Sequence, residues 1–361
     1  MPPEKHAFLG ASSSERWINC PPSQMLSRDF PDVVSPYAKE GTCAHELCEY
    51  KIKKILGLPC ADPTDNLDFY DQEMEECADD YVSYILELKS AMGNPKILIE
   101  QRVDFSKWVP DGFGTADCVF ISDDEISIVD FKYGMGIEVS AYRNTQMMCY
   151  ALGVLDLAPE VSTIRMCIFQ PRKENVSESI VDVHLLLHWA ENTLKPAADQ
   201  AYIGTGEFRC GKWCTFCKAK SVCRARAQQN MEIAKFEFKE PATLNDEEIT
   251  EILKMLPEVT SWAKDVQEYT LQQALDGKHW EGFKLVNGRS VRKYTDENAV
   301  AKAVIKAGKD PYKHEVLGIT AMSKLLGKRQ FEEILGDLVY KPAGKPVLVP
   351  ERDKREEIKG E

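Results

Sequence analysis

The chain has 361 residues, a formal net charge of −13 at pH 7 and 12 cysteines. Its length predicts two domains, or one large domain with an appendage, and the lack of a long apolar run or a secretion signal predicts a cytosolic protein with no membrane partner. The charge argues against non-specific coating of nucleic acid, which depends on Lys and Arg at phosphates. Cysteines in the cytosol are expected to be reduced, buried or metal-bound.

The N-terminal part predicts two helices. A short first helix ends at Cys20 because Pro21-Pro22 stops it, and a free cysteine in such a place is most often a small buried hydrophobe. Ser35-Pro36 supplies an N-cap and a first turn for a longer helix that reaches about residue 57. This helix contains His45, which by itself is more typical of a core histidine than of a ligand.

An amphipathic helix is predicted over residues 72–92, and a strand over Lys96–Phe105 follows it. Glu100 comes directly after three apolar residues of that strand. A salt bridge at a sheet edge explains this glutamate as well as a functional role does.

The centre of the sequence predicts an antiparallel hairpin. Two apolar runs, Cys118–Ile121 and Ile126–Val129, flank four polar residues of the length expected for a turn. Counting outward from this turn places Asp117 opposite Asp130, with Cβ atoms about 5 Å apart on one face. Lys132 shares the face of Asp130 because strand side chains alternate.

Two facing carboxylates suit a hard divalent cation such as Mg²⁺, and a neighbouring lysine can orient or activate a metal-bound water. That chemistry is typical of phosphodiester hydrolysis. The alternative is a solvated strand end whose Asp and Lys form weak ion pairs. The nearly continuous apolar character of both strands indicates a sheet covered on both faces, which favours a functional role for charges at the strand ends.

Beyond the hairpin, a helix is predicted from about residue 142 to residue 155, and a strand over residues 162–170. Gln146 and Tyr150 are four residues apart and lie on one face of that helix. Arg172 follows the strand, where it can reach a phosphate or simply end the strand.

Three cysteines in a basic segment, Cys214, Cys217 and Cys223, have the spacing C-x2-C-x5-C. Thiols so close together in a polar segment favour a metal over a core position. Cys210 lies just upstream, and four thiolates including it would make a zinc site. The basic residues of 209–226 also predict a local cationic patch suited to a nucleic-acid groove.

The character of the sequence changes near residue 231. We expect three segments: a domain over residues 1–230, a mainly helical region over 231–340 with a hairpin around Asn287-Gly288, and an extended or disordered tail over 341–361.

Asp117 in G-x-x-D, Asp130-Phe131-Lys132 and Gln146-x-x-x-Tyr150 together resemble the core motifs of the PD-(D/E)XK nuclease superfamily. The similarity is to the RecB/AddB-like branch, and within it to a phage- and prophage-encoded family, over roughly residues 7–230. It implies an α/β fold with a mixed central sheet flanked by helices, here with a mostly helical C-terminal region. It also implies a bacterial cytosolic protein encoded by a phage or prophage.

The resemblance assigns roles to individual residues. Mg²⁺ or Mn²⁺ would be held by His45, Asp117, Asp130 and the backbone carbonyl of Phe131. Glu100 and Lys132 would complete the catalytic group. A DNA phosphate or end would contact Gln146 and Tyr150, and Arg172 is a further candidate substrate contact.

The same resemblance implies a 4Fe-4S cluster held by Cys20, Cys214, Cys217 and Cys223, which would join the start of the nuclease domain to its end. With Cys20 as the fourth ligand, Cys210 is spare; zinc is the alternative metal. The expected activity is that of a DNA nuclease, in particular an exonuclease, in phage DNA recombination, repair or processing. DNA is the expected partner, together with a phage recombination or single-strand-binding protein. The rival hypothesis is a non-catalytic DNA-binding or scaffold protein that retains the fold.

Overall fold

The structure is a computed structural model, and it describes residues 7–32, 35–123, 125–158, 160–233, 244–287, 294–312 and 316–340, with residues 349 and 353. The chain divides into two compact units, Met1–Trp262 and Ala263–Glu361. The division therefore falls some way beyond residue 230, the boundary expected from the change in sequence character.

One mixed sheet of five strands, in the order β1-β2-β3-β4-β5, forms the centre of the first unit. The strands are β1 Lys96–Asp104, β2 Phe113–Ile121, β3 Ile126–Phe131, β4 Thr163–Gln170 and β5 Asn175–Asp182. β3 and β4 are parallel, and the other neighbours are antiparallel. The parallel pair requires a crossover, which contains the helix Thr145–Val154, here called α5. The predicted mixed sheet is confirmed.

The hairpin has the predicted register. Cys118 pairs with Val129, and the Ser122 backbone N–H donates to the Glu125 carbonyl at 3.0 Å. Continued by one step, this register sets Asp117 opposite Asp130.

Helices cover both faces of the sheet, as the apolar strands indicate. The helices of the first unit, before the C-terminal segment, are α1 Ser14–Asn19, α2 Ser23–Leu26, α3 Pro36–Ile55, α4 Gln72–Ala91, α5 Thr145–Val154, α6 Val183–Trp189 and α7 Lys195–Ile203. Buried side chains of α3 and α4 form one core layer against the sheet, whereas α1, α5, α6 and α7 contribute to the layer on the other face.

Several helix ends follow the predicted local signals. Ser35 caps α3 by accepting a hydrogen bond from the Ala38 N–H at 3.1 Å, and α1 ends before Pro21. The sequence analysis did not predict β5, α6 or α7. For α7 a signal was present: a proline in its first turn and Gly204, with φ of 76°, directly after its end.

The C-terminal part is mostly helical, as predicted. Its helices are α8 Arg224–Met231, α9 Asp246–Leu275, α10 Glu297–Lys306, α11 Ile319–Leu326 and α12 Lys328–Leu335. Residues 282–287 form no strand. The second half of the hairpin predicted around Asn287-Gly288 lies outside the described residues, as does nearly all of the predicted tail. Within the described part of the chain, no helix has both the length and the apolar character needed to cross a membrane.

Candidate functional site

The first feature of the site is a break in β1 at Glu100. This residue has a φ of 49°, which lies in the left-handed region that side-chain-bearing residues avoid at a cost of about 1–3 kcal/mol. Ile99 pairs with Cys118 and Gln101 pairs with Ala116, so Glu100 lies opposite Asp117. Strain of this kind is concentrated at functional sites in proteins.

The break also reverses the alternation of side chains along β1. Ile99 packs on the layer of α3 and α4, whereas Val103 lies in the opposite layer. In an unbroken strand two odd-numbered residues would share a face. The irregular backbone accompanies a Glu100 carboxylate that lies close to His45 of α3 and to Asp117.

His45, Glu100 and Asp117 converge at this point. One ligand atom from each lies within 4.8 Å of the others, an arrangement able to hold a metal ion. His45 reaches the site from α3, and its Nδ1 is 3.5 Å from Asp117 Oδ1. With 34% of its side chain exposed, His45 is not a fully buried core histidine. Its ring packs edge-on against Phe131, with centroids 5.3 Å apart.

The pKa values of the two carboxylates diverge. Burial raises the pKa of Glu100, the charge of Asp117 raises it further, and it reaches about 7. Burial also opposes ionisation of Asp117, but His45 and the Phe131 N–H, which donates to Asp117 Oδ2 at 2.7 Å, hold its pKa below the usual value. A cation is attracted to such a concentration of negative charge, because it stabilises both carboxylates at once.

The second sequence-predicted carboxylate, Asp130, lies in an adjoining network. It is buried, with 2% of its surface exposed, so the alternative of a solvated strand end does not hold for it. Its Oδ2 is 2.9 Å from Lys132 Nζ, and its Oδ1 accepts from the Gln146 amide at 2.9 Å. The Gln146 amide also donates to the Tyr150 hydroxyl at 3.1 Å. The helix α5 thus brings the predicted Gln and Tyr to the hairpin.

The network keeps Lys132 positively charged. Burial would lower the pKa of its ammonium, but Asp130 and Asp117 outweigh this and the pKa lies above the ordinary value. Burial raises the pKa of Asp130, although Lys132 opposes that change. The charged Lys132 ammonium therefore lies near His45, Glu100 and Asp117, and 30% of the Lys132 side chain is exposed to solvent.

Gly114, the glycine of the G-x-x-D motif, lets Tyr150 pack closely. A Cβ added at Gly114 would lie 2.7 Å from Cε1 of the Tyr150 ring, which is closer than van der Waals contact. The motif therefore has a packing reason for its glycine as well as a chemical one for its aspartate.

Arg172 is the one predicted substrate contact that the structure places in internal ion pairs. Its guanidinium lies 3.1 Å from Glu40 and 3.2 Å from Glu73, and it stacks over Tyr133 at 4.7 Å from the ring centroid. These contacts hold it between α3, α4 and the turn after β4.

A separate small cavity is lined by cysteines from two distant parts of the chain. The cysteines on its wall are Cys20, Cys210, Cys214, Cys217 and Cys223. The structure thus brings Cys20 to the C-x2-C-x5-C group, and it brings Cys210 there as well. Burial raises the pKa of the Cys210 thiol to about 12, and a bound cation reverses such a shift because coordination deprotonates a thiol. Thiol ligands of this number fit a soft metal or an iron-sulfur core.

The basic segment that includes these cysteines is less free than its sequence indicates. Lys212 pairs with Glu15 at 2.7 Å and Lys218 pairs with Asp32 at 2.5 Å, while Arg209 pairs with Glu207. Ion pairs within the protein therefore neutralise much of the predicted cationic patch. Little positive potential is left there to attract DNA phosphates non-specifically.

One residue at the cysteine cavity that sequence reasoning missed as a functional candidate is Arg226. It lines the cavity and forms a 2.6 Å ion pair with Glu258. The sequence of α8 has no marked apolar stripe, so it does not indicate which face of the helix is buried. The burial of Arg226 could therefore not be predicted from the sequence.

Comparison with known proteins identifies a family. A family model described as "Protein of unknown function (DUF2800)" matches residues 6–356, nearly the whole chain. Among solved structures, the chain is similar to one titled "Crystal structure of SSO0001", with 15% sequence identity and a TM-score of 0.23 over 50% of this chain and 95% of that chain. A likeness of that level transfers neither fold nor function. The family match covers far more than half of the sequence, and the chain therefore belongs to the DUF2800 family.

Proposed function

We propose that this protein is a metal-dependent DNA nuclease that hydrolyses phosphodiester bonds and has the PD-(D/E)XK type of fold. The observation that carries the proposal is the convergence of His45, Glu100 and Asp117 directly beside the cationic Lys132. An oxygen-rich ligand group next to a fixed positive charge is suited to a phosphate and a hard cation together.

The residues divide the work as follows. His45, Glu100 and Asp117 would hold Mg²⁺ or Mn²⁺, which as a Lewis acid polarises the phosphodiester and lowers the pKa of a bound water. The Phe131 N–H orients Asp117 by its 2.7 Å hydrogen bond. The positive charge of Lys132 is available to stabilise negative charge that develops on a phosphate oxygen.

Asp130, Gln146 and Tyr150 act through Lys132. Asp130 fixes the ammonium by its ion pair, and Gln146 Oε1 accepts a further hydrogen bond from it at 3.4 Å. This arrangement favours Asp130 as a residue that positions Lys132, in addition to the ligand role expected from the resemblance. Tyr150 is buried and supports Gln146 by accepting a hydrogen bond from its amide.

The second part of the proposal is a resident metal at the cysteine cavity. Cys20, Cys214, Cys217 and Cys223 would hold a 4Fe-4S cluster, with zinc as the alternative. The supporting observation is that Cys20 shares one cavity wall with the other three, although it lies far from them in sequence. An exonuclease role in phage DNA recombination or repair belongs to the same proposal, and it is supported by the sequence resemblance.

The decisive experiment uses purified full-length protein with end-labelled single-stranded, end-labelled double-stranded and closed circular DNA, in Mg²⁺, Mn²⁺ or EDTA. We expect cleavage of linear DNA with a divalent cation and none with EDTA. Cleavage of the circle as well would show an endonuclease. A matched control is Asp156→Asn, which removes an exposed carboxylate away from the site and should leave cleavage unchanged. Absence of cleavage in all conditions, with Mn²⁺ binding demonstrated, would refute the nuclease proposal and favour a scaffold.

A further inference from the structure

The sheet face that carries the candidate cation site continues past that site along β1. The helices α3 and α4 pack on Ile97 and Ile99 before the break at Glu100. After the break, Val103 lies in the core layer on the opposite face, so its neighbour Arg102 faces the side of α3 and α4. Arg102 is nevertheless exposed to solvent. This part of the sheet face is therefore open directly beside Glu100.

The strand β2 supplies the other side of this open surface. Arg102 pairs with Thr115. Gly114 faces the α5 side, where a Cβ added to it would lie 2.7 Å from the Tyr150 ring, so its neighbours Phe113 and Thr115 face the opposite way. Both are only half-buried. Arg102, Phe113 and Thr115 thus share one face, and we call them the open strip.

The Arg102 guanidinium lies flat against this strip. Its central carbon is 3.9 Å from the centroid of the Phe113 ring, a cation–π contact that restricts the side chain without using its N–H donors. Among the residues that the structure describes, no ion pair joins Arg102 to a carboxylate. The sequence-predicted phosphate contact, Arg172, is by contrast engaged by Glu40 and Glu73. Arg102 is therefore better placed than Arg172 to meet an external anion.

The position of Arg102 suits a polyanion that passes the cation site. Two residues separate it from Glu100, which corresponds to about 6–7 Å along a strand, and the long arginine side chain adds reach. Neighbouring phosphates of one nucleic-acid strand have a comparable spacing. A guanidinium presents its donors in a planar fork that matches phosphate oxygens, and the Thr115 hydroxyl is a further donor on the same face.

We propose that the open strip binds the backbone of the DNA strand next to the phosphate at the cation site, with Arg102 as the phosphate contact and Phe113 as the ring that orients it. The inference rests on the proposed nuclease function for the identity of its occupant. Its evidence is separate, because none of the three residues belongs to the group that would hold the cation. Charge complementarity with an exposed, oriented arginine favours a phosphodiester strand as the occupant.

A merely structural role for the stack predicts something different. If Arg102 and Phe113 serve only to hold β1 against β2, substitution of either residue should lower the melting temperature, and DNA affinity per folded molecule should not change. If Arg102 contacts a phosphate, removal of its charge should reduce the salt dependence of DNA binding, which counts phosphate contacts.

The test compares full-length wild type, R102Q, R102K, F113L and the control K107Q. Lys107 is also an exposed cation over an aromatic ring, 4.9 Å from the centroid of Trp108, but Trp108 belongs to the opposite core layer. Fluorescence anisotropy measures binding of a short fluorescein-labelled single-stranded DNA in Ca²⁺ over a series of salt concentrations, before any cleavage is detectable. Mn²⁺ affinity and melting temperature are measured on the same proteins.

We expect R102Q to bind the DNA about 10-fold more weakly, the range for a hydrogen bond to a charged group. The slope of log affinity against log salt should become shallower by about 0.7, the value for one phosphate contact on a single strand. R102K should keep the wild-type slope, and F113L should keep it with a loss of about 2-fold to 5-fold from poorer orientation. K107Q should bind like wild type, and Mn²⁺ affinity should be unchanged in all four variants.

Three results would overturn the inference: wild-type affinity and slope in R102Q, a slope in R102K as shallow as in R102Q, or an equal loss in K107Q. DNA cleavage by wild type together with any of these leaves the nuclease proposal standing without the open strip. If wild type binds DNA but does not cleave it, the nuclease proposal fails, and the same comparison of variants still decides the inference. A wild-type protein that neither binds nor cleaves DNA would refute both.

Discussion

Two substitutions of Asp117 distinguish its effect on protein stability from its effect on cation binding at the group His45, Glu100 and Asp117. Asp117→Asn keeps an oxygen that can accept the 2.7 Å hydrogen bond from the buried Phe131 N–H, whereas Asp117→Ala leaves that N–H without its partner. An unsatisfied buried donor costs about 1–3 kcal/mol. The lost ion pair with His45, whose side chain is 34% exposed, adds about 0.5 kcal/mol in either variant.

We therefore expect metal-free D117A to be less stable than wild type by about 2 kcal/mol, and D117N by less than about 1 kcal/mol. Cation binding should respond to charge rather than to shape, because carboxylate oxygens attract Mg²⁺ or Mn²⁺ mainly electrostatically. Both variants should lose affinity by at least about 10-fold, and both should stop cleaving DNA.

Urea unfolding in EDTA measures the stabilities, and Mn²⁺ titration followed by electron paramagnetic resonance measures affinity. Asp156→Asn is the control for loss of one carboxylate elsewhere. The reasoning fails if D117N binds Mn²⁺ like wild type, or if D117N and D117A are equally unstable, since the latter result would show that the hydrogen bond to Phe131 has no energetic weight.

Three other predictions concern individual residues. The pKa of Glu100 is raised from 4.5 to about 7. Between these pH values the carboxyl ionises in the unfolded chain before it does so in the folded protein, so metal-free wild type should lose stability as the pH rises. The variant E100Q should lack this loss and be more stable than wild type by about 1 kcal/mol at pH 8. Equal pH profiles in thermal melts would contradict it. G114A should be destabilised by about 1–3 kcal/mol through collision with Tyr150, and adding Y150L should recover part of that stability; no recovery would refute the packing argument. If the cysteine cavity holds the proposed metal, Cys20→Ala should remove that metal and lower the melting temperature, whereas Cys210→Ala should leave the metal content and the melting temperature unchanged. The reverse pattern in metal analysis would favour a zinc site that uses Cys210.

The sequence predicted the hairpin down to its register because two independent signals agree there. The apolar runs fix which residues face the core, and the four-residue turn fixes the pairing, so Asp117 had only one place to lie relative to Asp130. The i, i+4 spacing of Gln146 and Tyr150 similarly fixed their common face before their contact with the hairpin was known.

The sequence could not predict the break at Glu100. Nothing in Lys96–Asp104 departs from an ordinary strand pattern, and a left-handed conformation at a glutamate goes against its intrinsic preference. The pairing of Arg172 with Glu40 and Glu73, and of Arg226 with Glu258, could not be inferred either, since no periodicity links residues from different elements.

The two candidate metal sites differ in what their loss should do to the fold. His45, Glu100 and Asp117 are carried by α3, β1 and β2, which the sheet and its core layers already hold together, so removal of a cation there leaves the framework intact. Cys20 and Cys214 instead enclose all five strands between them, and a metal joining them restricts the unfolded chain over that whole length. Ligand softness separates the sites further, because carboxylates select hard cations and thiolates select zinc or iron. Brief EDTA treatment should therefore abolish cleavage with only a small fall in melting temperature, whereas stripping the thiolate metal should lower the melting temperature far more and reduce cleavage only as a consequence of unfolding.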